Sequence, residues 1–307
     1  MVQSASPVSD KVEGLSPNTV AAFLAVAVLG GGNAVAIRLG NLELAPFWGA
    51  AIRFLAAGLL FFGLTAFLRI GLPKGRALTG VALFGLVNFG LGYAFLYWAL
   101  QEANAGTAQV VLALVPLATF LLAVVQRVEP FRVLGLLGAI IAAAGVVWLF
   151  LESAEGVSLA ALMALLGSAI CFAQAGIVVK KFPPVHPVAE NALAMAIGGG
   201  VLLVLSLIVG EPRTLPTETS TWLSVIYLVL LGSVALFLLV LFVLHRWTAS
   251  ASAYSLLLMP IMTIVLGVVL LDEPVTPSLL AGAALVVLGV YVGVFVRPAR
   301  RGRGAAP

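Results

Sequence analysis

Long apolar runs alternate with short polar ones along the whole chain. The runs fall at 18–38, 46–68, 77–100, 106–126, 132–151, 158–179, 187–209, 221–244, 250–271 and 276–296, each bounded by charge, Pro or Gly. Each is close to the roughly 20 residues that an α-helix needs to cross the hydrocarbon of a bilayer. The pattern predicts an all-α integral membrane protein of ten transmembrane helices. The connections are so short that consecutive helices must be antiparallel neighbours. Residues 1–17 form a polar tail and 297–307 a basic one. The first apolar segment is longer than a signal h-region of about 7–15 residues, so the N-terminus reads as uncleaved.

Composition enforces the same conclusion. Of 307 residues 62% are hydrophobic and 9% charged, against about 25% charged in a soluble domain. That much apolar surface requires lipid as solvent. Cys171 is the single cysteine, and His186 and His245 are the only histidines, so disulfides are excluded and neither metal nor cofactor is expected. The net charge of +4 resides in short loops and the C-terminus, which suits anionic lipid and topology rather than nucleic acid.

Cations sort strongly by side. With a cytoplasmic N-terminus, thirteen fall inside, from Lys11 through Arg127, Arg132, Lys180 and Lys181 to Arg303, and only Arg38 and Arg213 fall outside. The positive-inside rule then places both termini in the cytoplasm.

Displacing the sequence by 144 residues lays 105–150 on 249–294 without a gap. Pro116 falls on Pro260, Thr119 on Thr263, Glu129-Pro130 on Glu273-Pro274, Gly138-Ala139 on Gly282-Ala283 and Gly145-Val146 on Gly289-Val290. Shared Leu and Val mean little in lipid, but these residues in one register mark a duplication. The offset spans five helices, an odd number, so the second copy (158–296) enters the membrane upside down relative to the first (18–151). Arg127 and Arg132 beside the inner Glu-Pro become Leu271 and Thr276 at the outer one, as that inversion demands. Inverted repeats are the architecture of carriers that rock about a site near the midplane.

Five plus five helices, with Pro and Glu-Pro at matched points of helices 4 and 9, resemble the drug/metabolite transporter superfamily and its EamA-type exporters. Gly32-Asn33, Pro46 followed by Arg53-Phe54, and the run Ala105 to Pro116 support the resemblance. Within it the chain looks most like the YddG-type exporters of aromatic and other apolar amino acids. The resemblance implies a bacterial inner-membrane carrier, working as a monomer or weak homo-oligomer.

Several positions carry both a functional and a structural reading. An arginine in hydrocarbon costs roughly 2.5–3.5 kcal/mol, so Arg53 is either the counter-charge for a substrate carboxylate or a structural arginine bonded to loop carbonyls or a helix C-terminus. Gly30, Gly31 and Gly32 before Asn33 allow close packing or a local break that lines a cavity. Tyr93, Tyr97 and Gln101 share one helix face, an aromatic and amide surface for a ring-bearing amphiphile, with Asn88 on another face and Tyr97 equally suited to an interfacial belt. Ser168, Cys171 and Gln174 form one small polar stripe, and Ser252, Ser255, Met259 and Thr263 a second. Such stripes line cavities or join helices. Trp48, Trp148, Trp222, Trp247 and Tyr227 read as belt residues, and Glu190 as an acid facing the positive end of helix 7.

The expected substrate contacts are Asn33, Arg53, Asn88, Tyr93, Gln174, Ser252 and Ser255, with Gly31, Gly32, Pro116 and Pro260 structural or gating. The expected function is export of small amphiphilic metabolites, apolar or aromatic amino acids first, without ion coupling. Sugar phosphates or nucleotide sugars would need several cavity cations. An intramembrane enzyme lacks catalytic groups, and a scaffold or receptor leaves an inverted repeat unexplained.

Overall fold

The computed structural model describes residues 16–152, 158–244, 246 and 249–295. They form helices throughout, with no strand among the described residues. In chain order these are α1 (Pro17–Asn41), α2 (Pro46–Phe67), α3 (Arg76–Ala99), α4 (Ala105–Val125), α5 (Val133–Glu152), α6 (Leu159–Lys181), α7 (Pro187–Val209), α8 (Thr219–Ile226, Tyr227–Ala235 and Leu236–Leu244), α9 (Ala249–Leu271) and α10 (Pro277–Val290, continued by Tyr291–Phe295). α1, α2, α3, α4, α6, α7 and α8 are long and apolar enough to cross a membrane, and the other three contain shorter apolar stretches. The helices end within three residues of the positions expected from sequence.

Local chemistry sets those boundaries. Proline occupies the first helical turn of α1, α2, α7 and α10, where its missing N–H costs nothing. Ser16, Ser158 and Thr276 accept from the amides of Thr19, Ala161 and Leu279 at 3.1–3.3 Å, so each satisfies an orphan donor of a first turn. α2 lacks such a cap. Its amides at Phe47 and Trp48 are instead held by the carboxylate of Glu211, at 3.1 and 2.9 Å.

Three features depart from the sequence reading. α1 runs unbroken through Gly30–Gly32, so the glycines serve close packing: a Cβ on Gly31 would lie 2.9 Å from the Met259 carbonyl, and one on Gly32 2.3 Å from the Tyr227 hydroxyl. α4 is interrupted at Ala113–Leu114, directly before Val115-Pro116, because Pro116 cannot donate to the preceding turn. Pro260 by contrast sits inside a continuous α9. Finally, α3 and α8 contain π-helical stretches, Gly85–Gly92 and Tyr227–Ala235, which shift the backbone register by one residue and recur at functional sites.

α2 packs along α7, α5 along α10 and α1 along α9, while α3 lies on α6 and α7, and α8 on α1 and α2. The α5–α10 seam is the tightest. A Cβ on Gly138 would meet the Gly289 carbonyl at 2.4 Å, and one on Gly145 the Gly282 carbonyl at 2.8 Å, so glycine alone permits this approach.

Side-chain bonds gather the loops into two groups. Glu43 accepts from Thr217 and Glu218, Glu102 from Ser158, and Glu273 from Arg38 and Ala105, joining the α1–α2, α3–α4, α5–α6, α7–α8 and α9–α10 connections. Lys180 contacts Glu129 at 3.5 Å, Lys181 donates to Gln126 at 2.6 Å, and the Arg76 guanidinium lies 5.9 Å from the Phe182 ring centroid. Those contacts join the α2–α3, α4–α5 and α6–α7 connections.

Candidate functional site

Arg53 lies in the second turn of α2 and is 1% exposed. Its Nε donates to Ser233 Oγ at 3.2 Å and its Nη2 to the Gly232 carbonyl at 3.1 Å. The acceptor carbonyl belongs to the π stretch of α8, neither a loop nor a helix C-terminus as the structural reading of Arg53 required. Asn33 Nδ2 donates to the same carbonyl at 3.2 Å, so α1, α2 and α8 meet on one oxygen. Gly232 leaves room for the Asn33 amide, since a Cβ there would lie 2.1 Å from Asn33 Oδ1 and would displace it.

An aromatic wall backs the guanidinium. Its carbon lies 4.9 Å from the Phe54 centroid and 5.2 Å from that of Tyr93, distances at which ring faces attract a cation. Phe54 and Tyr93 are 4.6 Å apart edge to face, Tyr93 reaches Phe172 at 5.1 Å, and Phe89 connects Phe54, Phe84 and Phe237 at 5.0–6.4 Å. The wall draws on α2, α3, α6 and α8.

Three polar atoms of this cluster are buried without a hydrogen-bond partner among the described residues: Arg53 Nη1, Asn33 Oδ1 and the Tyr97 hydroxyl. Leaving such a group unpaired costs about 1–3 kcal/mol, more for a charged one. Tyr97 is 2% exposed and close enough to Arg53 to feel its charge, which places it inside the bundle rather than in an interfacial belt. Its neighbour Trp98 is exposed instead, at 37%.

The structure therefore joins Asn33, Arg53 and Tyr93 of the expected contacts and adds Tyr97, Gly232, Ser233 and Phe89. Asn88 is half-buried in the α3 π stretch. Gln174 lies apart, accepting from Gln126 at 2.6 Å beside Lys181, so its amide is satisfied near the α4 and α6 ends. The side chains of Ser252 and Ser255 lie outside the described residues. Thr263, from the same stripe, donates to the Gly31 carbonyl at 2.7 Å and joins α9 to α1. Tyr227 does not sit in a belt either, since its hydroxyl donates to the Leu29 carbonyl at 2.9 Å and fixes α8 to α1. Ser233, Gly232 and Phe89 carried no sequence signal beyond one serine and one glycine in apolar runs.

Two cavities lie elsewhere in the bundle, neither lined by Arg53, Asn33, Tyr93 or Tyr97. One of 780 Å³ lies between α1, α8 and α9, with Gly32, Val35, Leu223, Tyr227 and Leu266 on its wall. The other, of 670 Å³, lies at the Glu43 end and is lined by Asn41, Pro46, Trp98, Gln101 and Glu211. Glu190 stays in the first turn of α7, beside a small cavity shared with Gly80 and Phe182.

Comparison with known proteins agrees with this architecture. The Escherichia coli K12 protein named uncharacterized inner membrane transporter YedA is 27% identical over 91% of this chain and 92% of its own. A Salmonella typhimurium protein named probable amino-acid metabolite efflux pump is 27% identical over 91% and 95%, and an uncharacterized transporter of Archaeoglobus fulgidus is 26% identical over 84% and 92%. One solved crystal structure aligns over 91% of this chain and 97% of its own, with a TM-score of 0.63 at 20% identity. The model of the EamA-like transporter family matches twice, at residues 18–151 and 159–295. The chain belongs to the EamA-like transporter family.

Proposed function

We propose that this protein exports small amphiphilic metabolites across a bacterial inner membrane, with aromatic or other apolar amino acids as its cargo. The carrying observation is a buried arginine with a free N–H, set against a wall of aromatic rings and held by α8 through Ser233 and the Gly232 carbonyl. Such a site offers a cation to a carboxylate and ring faces to an apolar side chain. Sugar phosphates fit it poorly, because Arg53 is the single buried cation among the described residues. Likeness to an inner membrane transporter and to a probable amino-acid metabolite efflux pump supports the reading.

Movement follows from two inverted five-helix repeats rocking against each other, with both termini in the cytoplasm. The twofold family match at 18–151 and 159–295 supports the repeat, as do two turns in the same register: the Glu129 amide reaches the Ala123 carbonyl, and the Glu273 amide the Gly267 carbonyl, both at 3.2 Å. The two groups of loops support the inversion, since Glu129 falls in one group and Glu273 in the other. Transport is uncoupled from protons and sodium, because the guanidinium of Arg53 is a fixed cation that attracts a carboxylate but relays no proton. Flux of labelled phenylalanine into proteoliposomes, with and without imposed gradients, tests the reading. Carrier-dependent equilibration is expected; accumulation that follows a proton or sodium gradient would overturn the uncoupled mechanism, and no flux of any amino acid would overturn the cargo.

A further inference from the structure

The donors and acceptors around Arg53 are unequal. Arg53 Nη2 and Asn33 Nδ2 converge on one oxygen, the Gly232 carbonyl, at 3.1 and 3.2 Å. Arg53 Nη1 and the Tyr97 hydroxyl, which lie beside one another, add two further donors that no carbonyl or carboxylate among the described residues meets. Against these stand two neutral side-chain acceptors, the amide oxygen of Asn33 and the oxygen of the Tyr97 hydroxyl itself. Four donors suit the two oxygens of a carboxylate, and two of the four now converge on the single oxygen of Gly232.

The charge balance points the same way. The carboxylates of Glu43, Glu102, Glu129, Glu211 and Glu273 are engaged at helix ends with Thr217, Ser158, Lys180, the amides of α2, and Arg38. The described ion pairs leave Arg53 without an anion. A buried charge without a counter-charge is costly, and an incoming monoanion cancels it. A zwitterion leaves the sum at one positive charge and brings an ammonium for which this cluster supplies neutral oxygens and ring faces but no carboxylate among the described residues.

We propose that this site reads a carboxylate and not an ammonium, so that apolar and aromatic monocarboxylate anions bind in preference to the corresponding amino acids. The inference rests on the reading of Arg53 as a substrate contact and, among small amphiphilic metabolites, moves the preferred cargo from amino acids to the monocarboxylates that lack the ammonium. It also makes transport electrogenic, so that an inside-negative potential drives the anion outward by about fifty-fold per 100 mV.

The full chain in nanodiscs provides the test, with labelled 3-phenylpropionate as probe and phenylalanine and phenethylamine as competitors. The expected result is 3-phenylpropionate bound at least tenfold more tightly than phenylalanine, with no competition from phenethylamine. Tyr97→Phe should weaken 3-phenylpropionate about tenfold, the loss of one charge-assisted bond, without lowering the melting temperature of the unliganded protein. In proteoliposomes, corrected for leak through protein-free vesicles, its efflux should rise with a valinomycin-imposed inside-negative potential. Phenylalanine binding as tightly as 3-phenylpropionate, competition by phenethylamine, or efflux indifferent to potential would each overturn the carboxylate-only reading while leaving amino-acid export standing. Failure of both acids to bind or move would remove Arg53 as a substrate contact, and both readings with it.

Discussion

Arg38 and Glu273 are 235 residues apart in sequence and 3.1 Å apart in space. The Glu273 side chain is 7% exposed and also accepts from the amides of Ala105 and Gly106, at 2.9 and 3.3 Å. One carboxylate thus caps α4, opposes the positive end of its dipole and ties α1 to α9. Gly267 leaves room for it, since a Cβ there would lie 2.7 Å from Glu273 Oε2. Glu273→Gln should cost about 1–3 kcal/mol, read as a lower melting temperature in detergent. Arg38→Gln should cost less, because both amides of α4 keep their acceptor. An equal or larger loss in Arg38→Gln would show that the ion pair, not the cap, holds the junction.

A second carboxylate makes a pH-dependent tie. Hydrogen bonds from the Thr217 hydroxyl and amide, helped by Thr221 and the Glu218 amide, hold the Glu43 carboxyl down to about 2. A carboxyl depressed in the folded state stabilises that state at every pH above its ordinary value of about 4.3, and the contribution drains away as pH falls from there toward 2. The link between the α1–α2 and α7–α8 connections should therefore be constant from about pH 5 to 8. Hydrogen exchange at residues 214–218 should be faster in Glu43→Gln than in the parent at pH 7, and the two should converge in strong acid. Parent protection that falls between pH 7 and 5 would contradict this.

The α5–α10 seam predicts a steric asymmetry among glycines. In Gly138→Ala the new methyl meets the Gly289 carbonyl at 2.4 Å and the Gly293 Cα at 2.5 Å, both backbone, so the helices must separate. A loss of about 1–3 kcal/mol is expected, the range for overpacking. Gly176→Ala has nothing within 4 Å and should leave the melting temperature unchanged. Similar melting of the two variants would show that the seam is looser than its geometry indicates.

The helices were legible in the sequence because lipid imposes a single rule, an apolar run of fixed length, and the prolines at 17, 46, 187 and 277 mark where four of them start. Arg53 and Asn33 stood out because polar groups in hydrocarbon demand a partner. What those partners are was hidden. The Gly232 carbonyl that accepts from Arg53 lies in a π stretch whose sequence, YLVLLGSVA, reads as apolar as an α-helical run. Gln174 misled for the complementary reason: its demand for a partner is real, but Gln126 meets it locally. Glycine runs are ambiguous in the same way, since Gly30–Gly32 suit a break or a close contact equally, and only Met259 and Tyr227 across the interface decide.

The cation bias predicts sidedness that the loop contacts refine. With Cys171→Ser as background, Thr217→Cys, in the group that contains Glu43, should react with a membrane-impermeant maleimide in intact cells. Pro130→Cys, next to Glu129 in the opposite group, should react only after permeabilisation. The reverse pattern would invert the orientation, and labelling of both from outside would break the assignment of loops to two faces.

The sharpest contrast between function and stability lies at Arg53. A structural arginine that ties α2 to α8 should be costly to remove, whereas an arginine kept for a ligand carries a burial penalty of its own. Replacing a buried ionic group with a neutral one is often neutral for stability, because the desolvation cost disappears with the bonds. Here the bonds at stake are those to Ser233 and the Gly232 carbonyl, at 3.2 and 3.1 Å, and Asn33 still donates to that carbonyl at 3.2 Å. Arg53→Gln should therefore shift unfolding by less than about 1 kcal/mol, while carboxylate-dependent transport falls at least a hundredfold, the equivalent of about 2.7 kcal/mol. Arg53→Lys should recover little, since an ammonium lacks the planar fork that serves Gly232 and a second acceptor together. Melting curves and flux from the same preparation separate the two roles: a large drop in melting temperature with residual transport in the surviving fraction would return Arg53 to the structural reading, and the site would have to be sought elsewhere in the bundle.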